Sequence, residues 1–185
     1  MNKADNQRHR ETDRKIREAL LQYLMRGREP AVGELCETAQ INRSTFYRHF
    51  KDIPDLMEKT ETEMQKGLVL SVGGEGSILE RLAASEEALV PLVSYIGENR
   101  YFYRIYMRNR AELPMKANFQ MFWEKRIRPL FEATGVMSEI RMRYYFLYVQ
   151  AGFAAVLKKW LDQDCAESPE EIASVLYRML RFTNT

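Results

Sequence analysis

Apolar residues recur at helical spacing along most of this chain. A first helix is predicted over residues 13–26, because Ile16 and Leu20 begin a stripe on one face and Gly27, followed by Pro30, ends it. The next stripe has intervals of three and four residues and comprises Val32, Leu35, Cys36 and Ala39. Alternating apolar runs bounded by Asn-Gly or Asp-Gly turns do not occur in the sequence. The pattern therefore predicts an all-α protein.

A tight turn separates the second helix from a third one, which is predicted over residues 43–51. Asn42 stands where an N-cap is needed, and its side chain is predicted to accept a hydrogen bond from the backbone N–H of Ser44 or Thr45. Pro54 suits the first turn of a fourth helix that extends to about residue 70. A short helix, a tight turn and a second short helix together predict a helix-turn-helix.

The glycine cluster SVGGEGS, residues 71–77, is the clearest break in the chain. It suggests two domains, an N-terminal one over residues 8–68 and a larger helical one over residues 77–185. Further helices are predicted over 78–98, 101–108, 114–133, 138–164 and 169–182. Ser168 is predicted to cap the last helix, with Pro169 in its first position.

Composition narrows the class of protein only slightly. With 185 residues and a net charge of +2, the chain is an ordinary globular protein, and its charge alone does not indicate a nucleic-acid partner. Cys36 and Cys165 have neither disulfide-framework nor zinc-ligand spacing. Neither a signal peptide nor a membrane-spanning run is seen, so a cytoplasmic protein is expected.

The stretch INRSTFYRHFKD contains the clearest candidate binding residues of the chain. At about 100° per residue, Phe46 and Phe50 face inward while Ser44, Thr45 and Arg48 face outward, where they can reach base edges in a major groove. The flanking and terminal residues Tyr47, His49 and Lys51 can donate to phosphate oxygens. The alternative is the solvated face of an amphipathic helix, and the stretch taken alone does not separate the two.

The sequence AVGELCETAQINRSTFYRHFKDIPDL closely resembles the DNA-binding motif of the TetR family of bacterial transcription regulators, above all in STFYRHFK. The resemblance covers about the first third of the chain. It implies that the third helix lies against DNA and that residues near the end of this helix contact phosphates. The residues implied for DNA binding are Arg43, Ser44, Thr45, Tyr47, Arg48, His49 and Lys51.

Three positions depart from the family pattern. Gln40 replaces the usual turn glycine, so the turn either has a left-handed residue or adopts another geometry. Ile53 replaces a lysine that contacts phosphate, and Ala31 replaces a capping threonine. The arm before the first helix carries Lys3, Arg8 and Arg10, and it is either a disordered, solvated tail or an arm that reaches an adjacent minor groove.

The resemblance also implies a homodimer, in which the last two helices of each subunit form a four-helix bundle on a palindromic operator. Small residues at positions 151, 152, 154 and 155 would let a partner helix approach, although close packing within the chain explains them equally well. The residues predicted for the dimer interface are Gly152, Phe153, Val156, Trp160, Leu176 and Met179.

Aromatic residues are concentrated in the second domain, where they either line an apolar effector pocket or fill the core. The pocket is predicted to include Tyr103, Tyr106, Phe119, Phe122 and Trp123. The stretches ENRYFYRIYM and SPEEIASVL are loosely similar to the branch of the family that includes regulators of dihydroxyacetone kinase operons.

The sequence thus predicts a homodimeric repressor that a small-molecule effector releases from DNA. The alternative is a co-regulator of the same fold that acts through a protein partner. An enzyme is not expected, since His9 and His49 are the only histidines and no phosphate loop or nucleophile elbow occurs. No catalytic residue, cofactor or metal site is predicted.

Overall fold

The apolar stripes of the sequence form helices in the computed structural model, which describes residues 3–71, 73, 85–109, 124, 128–129, 132 and 138–181. Over these residues the chain has eight α-helices, one 3₁₀ turn and no strand, as the helical spacing predicts. The helices are α1 (Lys3–Met25), α2 (Val32–Ala39), α3 (Arg43–His49), α4 (Ile53–Ser71), α5 (Val90–Glu98), α6 (Arg100–Asn109), α7 (Glu139–Asp162) and α8 (Pro169–Arg181), with the 3₁₀ turn at Glu86–Leu89.

The chain divides into two compact units, Met1–Met64 and Gln65–Thr185. This boundary lies inside α4, whereas the sequence places it at the glycines that follow the helix. The first unit contains α1, α2, α3 and the start of α4 around one apolar core. Its buried residues are Ile16, Ala19, Leu20, Leu35, Cys36, Ala39, Phe46, Phe50 and Leu56.

The first helix is longer than the sequence pattern predicts, since α1 begins at Lys3 and not near residue 13. The added turns are polar and so carry no apolar stripe that a periodicity argument could detect. Local contacts support them: the hydroxyl of Thr12 donates to the carbonyl of Arg8 at 2.9 Å. The stretch that includes Arg8 and Arg10 is therefore helical, and the solvated-tail interpretation was wrong.

In the second unit, α8 packs against α5, the 3₁₀ turn and α7, while α6 packs against α7. Trp160 lies at the centre of this core and is 2% exposed. Its indole N–H donates to the carbonyl of Glu167 at 2.9 Å, and a Cβ added to Gly97 would stand 2.9 Å from its ring. A bulky side chain at position 97 would therefore force α5 away from α7.

The connection between α7 and α8 has a defined backbone conformation that hydrogen bonds stabilise. Asp164 and Cys165 both have left-handed backbone, with φ of 60° and 57°. A guanidinium N–H of Arg104 donates to the Asp164 carboxylate at 2.9 Å, and this bond lowers the pKa of Asp164. Ser168 caps α8 as predicted, since its hydroxyl accepts from the Glu171 N–H at 3.2 Å and its own N–H donates to the Glu171 carboxylate at 2.8 Å.

The helix predicted over 114–133 falls almost entirely outside the described residues, as do Phe119, Phe122 and Trp123. Among the helices that are described, none combines the length and the apolar character needed to cross a membrane.

Candidate nucleic-acid interface

The turn between α2 and α3 is built on a left-handed glutamine. Gln40 has φ 55° and ψ 49°, its N–H donates to the carbonyl of Glu37 at 3.2 Å, and the N–H of Ile41 donates to the carbonyl of Cys36 at 2.9 Å. This pair of bonds is a Schellman motif, which normally ends in glycine because a Cβ makes the left-handed region unfavourable by about 1 kcal/mol. Of the two geometries left open by the sequence, the chain adopts the strained one.

The start of α2 compensates for the missing threonine. Ala31 offers no side-chain acceptor, but its own N–H donates to the Glu34 carboxylate at 2.9 Å. That carboxylate also pairs with Arg28. The bond from the Ala31 N–H is the main cause of the lowered pKa of Glu34. Half of a capping box therefore remains at this end of the helix.

Asn42 occupies the N-cap position of α3, but its side chain makes no capping hydrogen bond, so the predicted role was wrong. The backbone does this work: the N–H groups of Thr45 and Phe46 donate to the Asn42 carbonyl at 2.9 and 3.1 Å. The extended backbone at Asn42, with ψ 152°, already aims that carbonyl along the helix.

The two faces of α3 differ as the helical projection predicts. Phe46 is fully buried and Phe50 is 2% exposed, whereas Tyr47 is 58% exposed. Thr45 is half-buried and its hydroxyl accepts a hydrogen bond from Nη2 of Arg48 at 3.1 Å. We call the exposed side chains of α3 the outer face; they are Arg43, Ser44, Tyr47 and Arg48.

Arg43 lies across the neighbouring helix. A Cβ added to Gly33 would stand 2.7 Å from Nη2 of Arg43, so the missing side chain at position 33 leaves room for the guanidinium. The guanidinium of Arg43 is thereby held beside α2, at the edge of the outer face.

Lys59 on α4 fixes the C-terminal end of α3, a role that no sequence motif predicted. Its ammonium donates to the carbonyl of His49 at 3.2 Å and to the Asp55 carboxylate at 2.9 Å, and it lies 5.4 Å from the centre of the Phe50 ring. The bond from Lys59 is the main cause of the lowered pKa of Asp55, and the N–H of Lys51 adds to it. The only sequence signal was the Asp55 and Lys59 spacing of four residues, which is common on helices.

His49 does not lie on the outer face, so its predicted phosphate contact was wrong. Its side chain is 6% exposed, its Nδ1 contacts a carboxylate oxygen of Asp13, and its ring stacks on His9 with 4.0 Å between ring centres. The residue thus joins α3 to α1. No sequence signal indicated this, because His9 and Asp13 lie in a stretch without apolar pattern.

Lys51 remains exposed just beyond α3, where it can approach a phosphate. Ile53 cannot, because it is half-buried and packs against the core of the first unit. This chain therefore has an apolar side chain, not a cationic one, at position 53.

Three of the residues predicted for the dimer interface belong to the core of their own subunit. Phe153, Trp160 and Leu176 are 5%, 2% and 0% exposed, so they are not available to a partner and this assignment was wrong. Gly152 lies beneath Met179, whose Cε would be 2.4 Å from an added Cβ. Gly152, Val156 and Met179 are half-buried. We call the exposed large apolar side chains of α7 the apolar stripe; they are Ile140, Tyr144, Leu147 and Tyr148.

Two residues of the predicted effector pocket are described. Tyr103 is 1% exposed, and burial raises its pKa far above the usual range. Tyr106 is half-buried, and its ring centre lies 5.9 Å from that of Phe102. Both observations are typical of a packed core. Tyr103 could therefore line a ligand site only if that site lay inside the core.

A chain that is helical over its described residues, with a helix-turn-helix whose second helix is exposed in its N-terminal unit, has the fold of a helix-turn-helix transcriptional regulator. Residues 84–182, more than half of the chain, match the TetR-type family described as "Transcriptional regulator C-terminal region". The chain belongs to the TetR family of transcriptional regulators.

A curated relative and several solved structures agree with this assignment. The chain is 25% identical over 173 residues to the uncharacterized HTH-type transcriptional regulator YxbF of Bacillus subtilis strain 168, covering 89% of this chain but 43% of YxbF. It therefore spans less than half the length of that relative.

Structures with the same fold include the dihydroxyacetone kinase operon activator DhaS, at 19% identity with TM-score 0.57, covering 94% of this chain and 96% of DhaS. The fatty acid degradation regulator FadR of Bacillus halodurans is 14% identical, with TM-score 0.57 and coverage of 91% and 94%. A TetR regulator of Streptococcus agalactiae 2603V is 18% identical, with TM-score 0.53 and coverage of 96% and 97%.

Proposed function

We propose that this chain is a homodimeric, sequence-specific DNA-binding repressor, which a small-molecule effector releases from a palindromic operator. The observation that carries the proposal is the division of α3, which buries Phe46 and Phe50 and leaves its outer face exposed. A helix held down on one side by two aromatic rings can present the other side to a major groove without changing its own packing.

The residues of the outer face, together with Thr45 and Lys51 beside it, have different chemical roles. Ser44 and Arg48 reach base edges, and arginine pairs with guanine in bidentate fashion. Tyr47 and Lys51 donate to phosphates, which positions the helix without reading sequence. Thr45 acts through Arg48, because its hydroxyl already holds one arm of the guanidinium.

The apolar stripe of α7 supports dimerisation. Ile140, Tyr144 and Tyr148 are each 66% exposed and Leu147 is 50% exposed, and these residues recur at intervals of three and four. Such a patch on one helix is unfavourable in water and suits the same patch on a second copy across a two-fold axis. A dimer would place two copies of α3 about 34 Å apart, or a multiple of that, on successive turns of DNA.

The family assignment supports the proposal that an effector controls DNA binding. An effector acts only if it prefers one spacing of the two α3 helices over the other. The helix α4 begins in the first unit and ends in the second, so it is the element through which a ligand would act. A repressor of this kind works in the cytoplasm, where its operator lies.

Selection of bound sequences from random duplex DNA, at a fixed salt concentration, tests the proposal. We expect enrichment of a palindrome with two half-sites. The double variant Tyr47→Ala and Arg48→Ala should lose this site and keep its helical content, because both side chains are exposed. Tyr101→Ala with Arg108→Ala is the matched control, since it removes an exposed tyrosine and an exposed arginine from α6.

Two results would overturn the proposal. If the wild-type chain enriches no palindromic site, it is not a dimeric operator-binding protein. If the double variant of α3 retains the site while the control variant loses it, the outer face is not the reading surface. If the wild-type chain binds no DNA but captures a protein partner, it would instead be a co-regulator.

A further inference from the structure

The two histidines of this chain lie side by side. His9 on α1 and His49 at the end of α3 are separated by forty positions in the sequence, yet their rings stack with 4.0 Å between centres and 15° between planes. Asp13, one turn after His9, contacts Nδ1 of His49. One side-chain nitrogen or oxygen atom from each of the three residues lies within 4.8 Å of the other two.

Two imidazoles and one carboxylate are a ligand set for a divalent transition metal. Imidazole nitrogen and carboxylate oxygen bind Zn²⁺ at about 2.0 to 2.2 Å, so the ligand atoms in a tetrahedral site stand a little over 3 Å apart. Because the three ligand atoms lie within 4.8 Å of one another, closing them around an ion takes a movement of at most about 1 to 2 Å. His9 is exposed and on the first turns of α1, so it can make that movement.

We propose that His9, Asp13 and His49 form a binding site for a zinc-type divalent metal ion. Three protein ligands leave the fourth position of a tetrahedral ion to water. His49 is 6% exposed on its side chain and Asp13 is 29% exposed, so these two ligands would bind the ion from the protein side, after it replaces their direct contact, and His9 would bind it from the solvent side.

The position of the site gives it a consequence for DNA binding, and this step rests on the proposed function. A bound ion would join α1 to the last residue of α3, whose carbonyl also accepts the hydrogen bond from Lys59. It would also convert the negative charge of Asp13 into a net positive site near the phosphates that Lys51 approaches. The metal-loaded chain should then bind its operator more tightly.

Binding is measured without DNA, on the full chain after removal of metals with a chelator. Titration with Co²⁺ should give a visible absorption band that saturates at one ion per chain, and Zn²⁺ should abolish the band by displacement. Zn²⁺ at a hundred times its Kd should also shift the unfolding equilibrium by about a hundredfold.

His9→Ala tests the site with little risk to folding, because His9 is exposed. The variant should weaken Co²⁺ binding by at least tenfold, and Asp13→Asn should also weaken it. Glu11→Ala removes an exposed carboxylate from the same turn of α1 and should bind Co²⁺ as the wild-type chain does.

The proposal is overturned if the wild-type chain binds no Co²⁺ at one equivalent, or if His9→Ala binds it unchanged. The second result would assign the ion to other groups, such as the thiols of Cys36 and Cys165. Because these measurements contain no DNA, failure of the metal site leaves the repressor proposal standing, and failure of operator selection leaves the metal site standing.

Discussion

The ammonium of Lys59 on α4 donates to the carbonyl of His49, the last residue of α3, over 3.2 Å. A helix of seven residues has few bonds of its own, and its last carbonyls have no partner within the helix. Lys59 supplies one of those partners from α4, so the C-terminal end of α3 is held by the helix that also leads out of the first unit.

Lys59→Met should therefore weaken operator binding more than it weakens folding. The methionine keeps an apolar side chain beside Phe50 but cannot donate to the His49 carbonyl. Since Lys59 is about half exposed, we expect the free energy of unfolding to change by no more than about 1 kcal/mol. Operator affinity, measured by fluorescence anisotropy, should fall about tenfold because the orientation of α3 is less restricted.

Lys66→Met is the control, because it removes the same charge from an exposed position of α4. Equal losses of affinity in the two variants would mean that only the positive charge matters. The hydrogen bond to His49 would then have no part in positioning α3.

Gln40→Gly should stabilise the protein. The left-handed backbone at Gln40 is unfavourable for any residue with a Cβ, and its side chain is exposed, so little packing is lost. We expect chemical denaturation to show a gain of about 0.5 to 1 kcal/mol, smaller than the full left-handed cost because glycine also loses more backbone freedom on folding.

Gln40→Ala shares the loss of the amide but keeps the Cβ, so it should give no gain. If the alanine variant is as stable as the glycine variant, backbone strain at Gln40 is not the cause.

The pair of changes Leu147→Glu and Tyr148→Glu should convert a dimer into monomers. Both side chains lie in the apolar stripe, and two added carboxylates there would face their own copies across a two-fold axis. Sedimentation velocity should show the change in mass. The half-site of the operator should still bind weakly, because the first unit is unaltered.

Tyr101→Glu provides the comparison, since Tyr101 is an exposed tyrosine of α6, 48% accessible and outside the stripe. A dimer that survives the double change in α7 would place the interface elsewhere. A dimer that dissociates with Tyr101→Glu as well would show only that added negative charge opposes association.

Asp164→Asn should make the stability of the second unit less dependent on pH in the acidic range. The hydrogen bond from Arg104 lowers the pKa of Asp164 in the folded state below its ordinary value of 3.8. A carboxyl with a lowered folded pKa stabilises the fold above the unfolded pKa, and this contribution is lost as the pH falls through the folded pKa.

The midpoint temperature of thermal unfolding, measured from pH 6 down to pH 2, should therefore fall less steeply for Asp164→Asn than for the wild-type chain. Gln163→Asn, at a neighbouring exposed site, should follow the wild-type curve. Parallel curves for Asp164→Asn and wild type would mean that the Arg104 contact is not maintained in solution.

The sequence predicted most of the described helices and the two faces of α3 because both depend on local periodicity, but it did not predict that α5 begins only at Val90, after the 3₁₀ turn at Glu86–Leu89. Phe46 and Phe50 project from the helix axis in a different direction from Tyr47 and Arg48, and this direction follows from the spacing of the residues alone. The last cap was also predictable, since Ser168 and Glu171 satisfy each other within four residues.

The errors concern residues whose partners are distant in sequence or whose stretch lacks apolar residues. His49 was assigned to phosphate because its partners His9 and Asp13 are distant in the sequence and no apolar pattern links them to α3. Phe153 and Trp160 were assigned to a dimer because apolar content does not show whether a residue faces its own core or a second copy. Asn42 has a suitable side chain, but its backbone carbonyl already accepts the first bonds of the helix.

The length of α3 limits how much of an operator one subunit can distinguish. Seven residues rise about 10 Å along the helix axis, which matches about three base pairs of duplex. Because Arg8 and Arg10 are part of α1, they do not form an extended arm that could read further positions in a minor groove. Three base pairs recur by chance throughout any genome, so in the proposed dimer most of the information that selects one operator would come from the distance and symmetry between two half-sites.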